Sequence, residues 1–520
     1  MTFTGTLKPY QEEAVVKMGT RGTMLVAYEM GLGKTCMTIA AIENLKDANK
    51  VNGRVLVICL SSLKYQWEKE IHKFSNATTC VVDGTKVARE KAWAENADYI
   101  ICNYEAVVND WDIVKQYNWS VLVCDEATAI KSFKSKRSKK VKELSRHVKI
   151  RYALTGTPIE NGRPEELYSI MQFVDPTVLG RFDLFDQTFI VRNHFGGVQR
   201  YRNLDLFHKK MKEASVRKTQ NDPDVAPYLP DTIHLEPDTV LFDKASQKLY
   251  DIISLELQRD LIDAQELFGT SFSLEAHYGQ GYAPGSPADE MRGRIMSKIT
   301  ALRMLSDHPQ LLRNSADKAS AGEGEGSEYL LGLKELGHLE KPTKSNKLQA
   351  VVEYICEHLE TDENAKVVLF TTFRGMLPIL KEALDKKNVV STSYSGDMNA
   401  KQKEESKVLF QTSKDVKVLL STDAGGYGVD LPQANLLINY DLPWASGTAM
   451  QRNSRIRRAS STWKSIVIQD FIVKNSIEER QHQMLQQKNA VADAVVDGTG
   501  INSKGGVDLT VGSLLNFLQQ

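Results

Sequence analysis

The stretch Ala27–Thr38, AYEMGLGKTCMT, ends like a phosphate-binding loop. The strict pattern, G-x-x-x-x-G-K-[ST], requires glycine at the position of Tyr28. An apolar run precedes the turn and a helical pattern begins near Lys34, so backbone N–H groups at the helix start could hold phosphate oxygens. Lys34 would then reach the β- and γ-phosphates of a nucleotide, and Thr35 would hold Mg²⁺. An ordinary glycine turn between a strand and a helix is the alternative.

A second stretch, VLVCDEAT, places Asp125 and Glu126 at the end of another apolar run. A phosphate loop needs a carboxylate on a neighbouring strand to hold Mg²⁺, and a group that orients the attacking water. Asp125 suits the first role and Glu126 the second. Acidic residues that only cap a helix are the commoner cause of such a pair, but the phosphate loop upstream favours the catalytic interpretation.

Two further stretches carry polar groups that could serve the same reaction. In ALTGTPIEN, Thr155, Gly156 and Thr157 follow a third apolar run, at the edge where open α/β sheets bind ligands. In QRNSRIRRASS, the spacing of Arg455 and Arg458 puts both on one face of a helix. Arginines supplied to a phosphate site stabilise transition-state charge and can accelerate transfer about 10³–10⁵-fold. A simple polar turn and a solvated basic helix are the respective alternatives.

The elements that must position these residues are visible as apolar runs that alternate with helical periodicity. The runs are TMLVAY, RVLVICL, DYIICNY, SVLVCDEA and KIRYALTGTP in the first half, and AKVVLFTTF, NVVSTSYSG, VKVLLSTDAGG, ANLLINYDLPW and KSIVIQDFIV in the second. Continuous apolar strands between helices predict parallel sheets covered on both faces. We therefore predict an α/β protein with two tandem doubly wound lobes, the first carrying the phosphate loop. Helical periodicity dominates from about 164 to 314.

Composition narrows the classes of protein further. The chain has 520 residues, enough for two or three domains, and a formal net charge of zero, so nucleic-acid binding would depend on local patches. The densely basic segment 131–142, KSFKSKRSKKVK, is one such patch, with a solvated helix face as its alternative. The 6 cysteines include no C-x-x-C pair, and no apolar run reaches about 18 residues. These features predict a soluble cytoplasmic protein with reduced thiols and no membrane partner.

In their order and spacing, these stretches resemble helicase superfamily two, and in detail its Swi/Snf branch of double-stranded-DNA translocases. LKPYQEEAV, YEMGLGKT, LSSLKYQWEKEI, CNYEAV, DEAT and LTGTPIENGRPEELYSIMQFVDP are similar to motifs of the family's first lobe, and VLFTTFRGML, LSTDAGGYGVDLPQANLLINYDLPW and QRNSRIRR to motifs of its second. The resemblance implies two RecA-like lobes with helical insertions in each. Lobe 1 would span residues 1–235, with a helical protrusion at about 164–235. Lobe 2 would span 236–520, with a helical insertion at about 240–340, helicase motifs at 345–500 and a C-terminal helical tail.

The resemblance also implies roles for individual residues. Gln11 would read adenine, and Arg455 and Arg458 would be arginine fingers. The other nucleotide contacts would be Met30, Gly31, Leu32, Gly33, Lys34, Thr35, Gly428 and Asp430. The residues that couple hydrolysis to movement would be Thr155, Gly156, Thr157 and Gln451. The candidate DNA contacts, which would hold phosphates without sequence readout, are Ser61, Ser62, Lys64, Gln66, Arg374, Ser395, Gly396 and Thr422.

The function implied is that of a monomeric motor that uses ATP and Mg²⁺ to move along double-stranded DNA. It would displace bound proteins or DNA structures without separating the strands. The alternatives are a superfamily-two helicase that unwinds DNA or RNA, and a nucleic-acid-binding protein that ATP switches between states. Because the first motif lies close to the N-terminus and no accessory domain is recognisable, we expect a bare motor, of bacterial or phage origin.

Four positions depart from the family pattern. Ser454 stands where Gly or Asp is usual, and Asp430 where Asn is common. Tyr28 replaces a common Asp, and Thr128 stands where His is frequent. Because Tyr28 occupies the least demanding position of the loop, we expect Tyr28→Asp to keep activity within a few-fold and Lys34→Ala to abolish it. Trp67 and Trp444 could stack on bases, but burial statistics for tryptophan favour packing inside the protein.

Overall fold

The computed structural model describes residues 2–192, 198–269, 272, 282–423 and 429–498. The chain divides into two compact units. The first unit holds the chain up to Arg192, the segment Val198–Leu229 and residues 488–498, and the second holds residues 230–487. None of the described helices combines the length and the apolarity needed to cross a bilayer.

The first unit is built on a parallel sheet whose strands follow the order β3-β4-β2-β5-β6-β1-β9. Its central strands are apolar and almost wholly buried, because helices cover both faces. The strands are β1 (Thr23–Tyr28), β2 (Val55–Cys59), β3 (Thr79–Val81), β4 (Tyr99–Asn103), β5 (Val121–Asp125), β6 (Ile150–Leu154) and β9 (Ser215–Lys218). A separate antiparallel hairpin pairs β7 (Ile190–Arg192) with β8 (Val198–Tyr201).

The helices of the first unit begin and end at conventional signals. The first helix has Pro9 at its first position and ends at Gly22, whose φ of 78° lies in the left-handed region that glycine adopts readily. The helices are α1 (Pro9–Arg21), α2 (Lys34–Asp47), α3 (Lys64–Phe74), α4 (Lys86–Ala94), α5 (Tyr104–Asn109), α6 (Trp111–Val114), α7 (Lys136–Ser145), α8 (Pro164–Val174), α9 (Pro176–Leu179), α10 (Phe182–Phe189) and α11 (Leu204–Lys212).

The second unit has its own parallel sheet, in the order β10-β16-β15-β12-β14-β13, with β11 also paired to β16. Its strands are β10 (Asp231–His234), β11 (Asp238–Val240), β12 (Val367–Thr371), β13 (Ser391–Tyr394), β14 (Val418–Thr422), β15 (Leu436–Asn439) and β16 (Ser465–Val473). The helices are α12 (Lys244–Phe268), α13 (Pro287–Asp307), α14 (Pro309–Ser320), α15 (Glu328–Glu335), α16 (Asn346–Thr361), α17 (Met376–Asp385), α18 (Ala400–Thr412), α19 (Ser446–Asn453) and α20 (Ile477–Val496).

The predicted α/β class with two parallel sheets is confirmed, and each apolar run of the sequence contains a strand. The insertion predicted at 240–340 contains α12 to α15. The protrusion predicted as helical at 164–235 also contains four strands, β7 to β10, of which β9 joins the main sheet beside β1. Residues 488–498 group with the first unit, whereas the sequence placed them in the second lobe. Ala494 and Val495 pack into a hydrophobic cluster of the first unit, and Asp497 forms an ion pair with Arg217 of β9.

The second unit is stabilised internally by a buried lysine between two carboxylates. Lys347 Nζ on α16 lies 3.1 Å from Asp307 Oδ1 and 2.6 Å from Glu478 Oε1. All three side chains are almost completely buried. Removing one partner of such a pair leaves an uncompensated charge in a medium of low dielectric constant.

We predict that Lys347→Met lowers the free energy of unfolding by about 3–5 kcal/mol. Lys381, whose exposed ion pair with Asp385 joins two positions of α17, provides the matched control. Lys381→Met should cost less than about 1 kcal/mol. The measurement is urea unfolding followed by circular dichroism, and equal losses in the two variants would contradict the prediction.

Candidate nucleotide site and nucleic-acid contacts

The order of strands in the first unit brings the predicted catalytic stretches to one edge of the sheet. Strand β6 lies between β5 and β1, and Leu154 at its end pairs with both Asp125 and Val26. The three strands are parallel, so the segments that follow them all begin at the same edge. The backbone N–H of Thr155 donates to Val26 O at 3.2 Å, which holds the third segment against the first.

The phosphate loop connects β1 to α2 through two glycines with positive φ. Gly31 has a φ of 78° and Gly33 a φ of 83°, a region that other residues seldom adopt. Lys34 is the first residue of α2, and its Nζ donates to the carbonyl oxygens of Tyr28 and Glu29 at 2.8 and 3.1 Å. The ammonium therefore lies over the loop, where the start of the helix also supplies positive potential for a phosphate.

Gln11, the predicted adenine reader, contacts this loop directly. Its Nε2 donates to Leu32 O at 3.0 Å, and its Oε1 accepts from the backbone N–H of Lys8 at 2.9 Å. A Cβ at Gly33 would come within 2.4 Å of Gln11 Nε2. Position 33 therefore favours glycine because of its backbone angle, and a larger residue there would also displace the Gln11 amide.

Asp125, the predicted metal ligand, is buried and held by several donors. Its Oδ2 accepts from Trp67 Nε1 at 2.8 Å, and its Oδ1 accepts from the backbone N–H of Glu126 at 3.0 Å. Tyr104 donates its hydroxyl to the backbone oxygen of Asp125 at 2.7 Å. Burial raises the pKa of the Asp125 carboxyl, and the hydrogen bond from Trp67 and the charge of Lys34 oppose that shift.

The residues present suit a magnesium ion bound together with a nucleotide. Mg²⁺ usually takes one or two protein oxygens and completes its shell with water and phosphate oxygens. Asp125 offers a buried carboxylate whose charge is disfavoured by burial, and a bound divalent cation would stabilise that charge. Within the described part of the chain, no group of three or more His, Cys, Asp and Glu side chains is arranged to hold a metal on its own.

Glu126 follows Asp125 with a strained backbone. Its φ of 47° lies in the left-handed region, which is uncommon for residues other than glycine. Residues held in such conformations are concentrated at functional sites, where the surrounding structure compensates for the strain. The conformation accompanies the sharp turn between β5 and the short helical turn Ala127–Ile130.

The segment after β6 packs closely on the phosphate loop. A Cβ at Gly156 would lie 2.9 Å from Met30 Cγ and 3.3 Å from Met30 N, so the contact between the two loops depends on glycine. The Thr157 N–H donates to Thr155 Oγ1 at 3.1 Å. The hydroxyl oxygen of Thr157 is buried and has no hydrogen-bond partner among the described residues.

Sequence reasoning missed two residues that hold the phosphate loop from the other side. Arg217 on β9 donates to Ala27 O at 2.9 Å and to Glu29 Oε1 at 3.3 Å, and its Nε lies 2.7 Å from Asp497 Oδ1. Gln220 donates its side-chain N–H to Met30 O at 2.7 Å. Both lie in the stretch VRKTQ, and its Arg–x–x–Gln spacing was the available signal.

In the second unit, α19 and the turn after it position the predicted arginine fingers. Arg458 Nε lies 2.6 Å from Asp430 Oδ1, so two predicted nucleotide residues are in contact. Arg455 and Gln451 are both buried. Arg452, on the same helix, is buried, and its guanidinium forms ion pairs with Asp423 and Asp441 at 2.5 and 3.4 Å. Its charge is therefore used within the second unit. Gly428 lies outside the described residues.

The candidate DNA contacts of the first unit divide into exposed and buried groups. Ser61, Ser62 and Gln66 are exposed around the start of α3. Lys64 is buried, and its Nζ bonds to Val82 O at 3.2 Å and to Asp83 Oδ1 at 2.9 Å. The assignment of Lys64 as a phosphate contact is therefore corrected, since its ammonium is used inside the unit.

The candidate DNA contacts of the second unit divide in the same way. Gly396 is exposed, and Arg374 is about half exposed, 3.0 Å from Glu325 Oε2. Ser395 and Thr422 are buried, and the hydroxyl of Ser395 donates to Asp397. Their burial leaves little surface for a phosphate contact, and their assignment as DNA contacts stays a prediction.

The basic segment 131–142 is partly neutralised within the first unit. Lys131 pairs with Glu160, Arg137 with Glu105 and Lys140 with Glu143. Lys142 donates to Ser169 Oγ at 2.7 Å, and burial lowers its pKa to about 8. The exposed cations that remain are Lys134, Lys136 and Lys139.

Comparison with known proteins identifies the class of motor domain that this site belongs to. The SNF2-related domain matches residues 10–311, more than half of the chain, and the helicase conserved C-terminal domain matches residues 346–460. The chain therefore belongs to the SNF2-related family, and the sequence resemblance to the Swi/Snf branch is confirmed.

Individual relatives are similar over most of this chain but are longer proteins. The human DNA repair and recombination protein RAD54B is 26% identical, over 95% of this chain and 55% of its own length. A mouse SWI/SNF-related matrix-associated actin-dependent regulator of chromatin, subfamily A member 1, is 26% identical over 88% of this chain and 40% of its own. The chain thus spans about half the length of the curated relatives it matches.

A solved structure supports the fold. The helicase domain of Pyrococcus furiosus Hef is 18% identical, covers 92% of this chain and 97% of its own, and superposes with a TM-score of 0.52.

The Tyr28 side chain is buried and bonded to α1, which changes the expectation for its substitution. The side chain is 2% exposed, and its hydroxyl donates to Tyr10 O at 2.9 Å. We now predict that Tyr28→Asp destabilises the protein by about 3–5 kcal/mol, because it leaves a cavity and a buried carboxylate. Tyr28→Phe keeps the ring and should cost about 1–3 kcal/mol. Thermal unfolding measures both, and wild-type stability of Tyr28→Asp would refute the packing role.

Proposed function

We propose that this protein is a DNA-dependent ATP hydrolase that moves along double-stranded DNA and displaces what is bound there, without separating the strands. The main support is geometric: Lys34, Asp125, Glu126 and Thr157 lie at or just after the ends of three parallel strands, at one edge of the sheet. The chain that carries them belongs to the SNF2-related family. Two relatives are named for DNA repair and recombination and for the regulation of chromatin, and both names are consistent with a DNA substrate. We further infer a monomer that acts in the cytoplasm of a bacterial or phage-infected cell.

In this proposal each residue of the first unit has a separate task. Gln11 recognises the base, and the amides of the loop and Lys34 hold the phosphates. Glu126 orients the attacking water and accepts its proton, while Asp125 and Thr35 would hold Mg²⁺. The ion neutralises charge on the phosphate oxygens. Arg455 and Arg458 of the second unit contribute positive charge that stabilises the transition state.

Contacts with DNA would be made chiefly by groups that suit phosphates. Ser61 and Ser62 present hydroxyls and backbone N–H groups at the start of α3, a helix end that attracts anions. Gln66 lies one turn further along the same exposed surface. Such contacts fix the protein on the backbone without reading bases, as translocation requires.

We predict that the protein releases the third strand of a DNA triplex in an ATP-dependent reaction and leaves a tailed duplex paired. Displacement would be followed by gel electrophoresis and ATP hydrolysis by phosphate release, with duplex DNA, single-stranded DNA and RNA compared as stimulators. Duplex DNA should stimulate most. Glu126→Gln should lower turnover by about 10²–10⁴-fold, because it removes the general base.

Two outcomes would reject this proposal in favour of its alternatives. Efficient unwinding of the tailed duplex without triplex displacement would identify an unwinding helicase. Nucleotide-dependent DNA binding that Glu126→Gln leaves intact, in a wild-type protein with almost no turnover, would identify a switch.

The exposed cations of α7 provide a second test of DNA binding. We predict that Lys136→Glu together with Lys139→Glu weakens duplex binding and reduces its salt dependence, because two phosphate contacts are lost. Lys381→Glu together with Lys386→Glu, at two exposed positions of the second unit, is the charge-matched control. Fluorescence anisotropy over a range of salt concentrations gives both quantities. An unchanged salt slope would show that α7 is only a solvated face.

A further inference from the structure

Trp67 joins the helix that carries the exposed serines to the metal carboxylate. Its side chain is 1% exposed, and its indole Nε1 donates to Asp125 Oδ2 at 2.8 Å across 58 positions of sequence. Asp125 Oδ1 accepts from the Glu126 backbone at 3.0 Å. Each oxygen of the Asp125 carboxylate therefore accepts one of these two hydrogen bonds. The bond from Trp67 is the one that ties Asp125 to a different element, α3.

Side-chain bonds to residues 82 and 83 order the first turn of α3. A shift of this turn would therefore carry the rest of the helix with it. Lys64 Nζ bonds to Val82 O and Asp83, and Tyr65 donates its hydroxyl to Asp83 Oδ2 at 3.0 Å. Trp67 is the next buried residue of the same helix after Lys64. A rigid helix moves as one body, so a shift at its first turn changes the position of the indole.

We propose that Trp67 is a positioning residue that couples DNA contact at the start of α3 to the orientation of Asp125. This inference rests on the proposed function, in which Ser61, Ser62 and Gln66 touch DNA and Asp125 holds Mg²⁺. Partners that orient a metal ligand typically change metal affinity by about 10–100-fold when removed. Duplex DNA would thus adjust metal binding through one indole N–H.

Trp93 provides a matched control within the same unit. It is 0% exposed, and its Nε1 donates to Asp110 Oδ2 at 3.0 Å. Trp93→Phe removes a buried indole–carboxylate hydrogen bond of the same kind, but its acceptor lies outside the strand edge that carries Asp125. Trp67→Phe and Trp93→Phe should therefore lose similar stability and differ only in effects on the metal.

The test uses Mn²⁺ as the spectroscopic probe of the Mg²⁺ site in the full chain. Binding of Mn²⁺ in the presence of ADP is measured by electron paramagnetic resonance, with and without duplex DNA. In the wild type, DNA should change the Mn²⁺ dissociation constant. Trp67→Phe should weaken Mn²⁺ binding about 10-fold or more and abolish the effect of DNA. Trp93→Phe should retain both properties.

The outcomes separate this inference from the function on which it rests. If duplex DNA does not stimulate wild-type ATP hydrolysis, the proposed function fails. If stimulation is present but Trp67→Phe binds Mn²⁺ and responds to DNA like Trp93→Phe, the positioning role is refuted. Should Trp67→Phe not fold, the wild type still decides, because equal Mn²⁺ affinity with and without DNA overturns the coupling.

Discussion

The parallel pairing of β5, β6 and β1 is the constraint on which the nucleotide site depends. Parallel strands direct their carboxyl ends to one edge, so the chemistry of three distant sequence stretches meets there. The register matters as much as the order, because a slip of one residue would turn the side chains of a strand to the opposite face. Alternate residues of these strands pack into two different buried clusters, which favours one register.

Around this edge, single side chains connect elements that the sheet leaves separate. Arg217 links the end of β1 to residue 497, and Gln11 links α1 to the phosphate loop. Trp67 links α3 to the end of β5. In each case a donor that is at least partly buried satisfies an acceptor in another element, which costs least when both partners are held in place. The nucleotide loop is therefore supported by side chains from several elements as well as by its own backbone.

Much of this arrangement could be predicted from sequence, and the exceptions have physical causes. The central strands were predictable because burial on both faces requires continuous apolar residues. Strand β9 was missed because its sequence, SVRK, is short and mostly polar and lies at the sheet edge. The burial of Trp67 was expected, but its partner lies 58 positions away. Lys64 was misassigned because a cation beside a helix start suits a phosphate and an internal acidic partner equally well.

The chain order of the first unit has a consequence for its biosynthesis. Arg217 and its partner Asp497 are separated by 280 positions, and almost all of the second unit lies between them. At roughly 5–20 residues per second, a ribosome needs on the order of tens of seconds to cover that distance. During this interval Arg217 has been synthesised, but its acceptor Asp497 has not. The ion pair between Arg217 and Asp497 therefore cannot form until residue 497 has been translated.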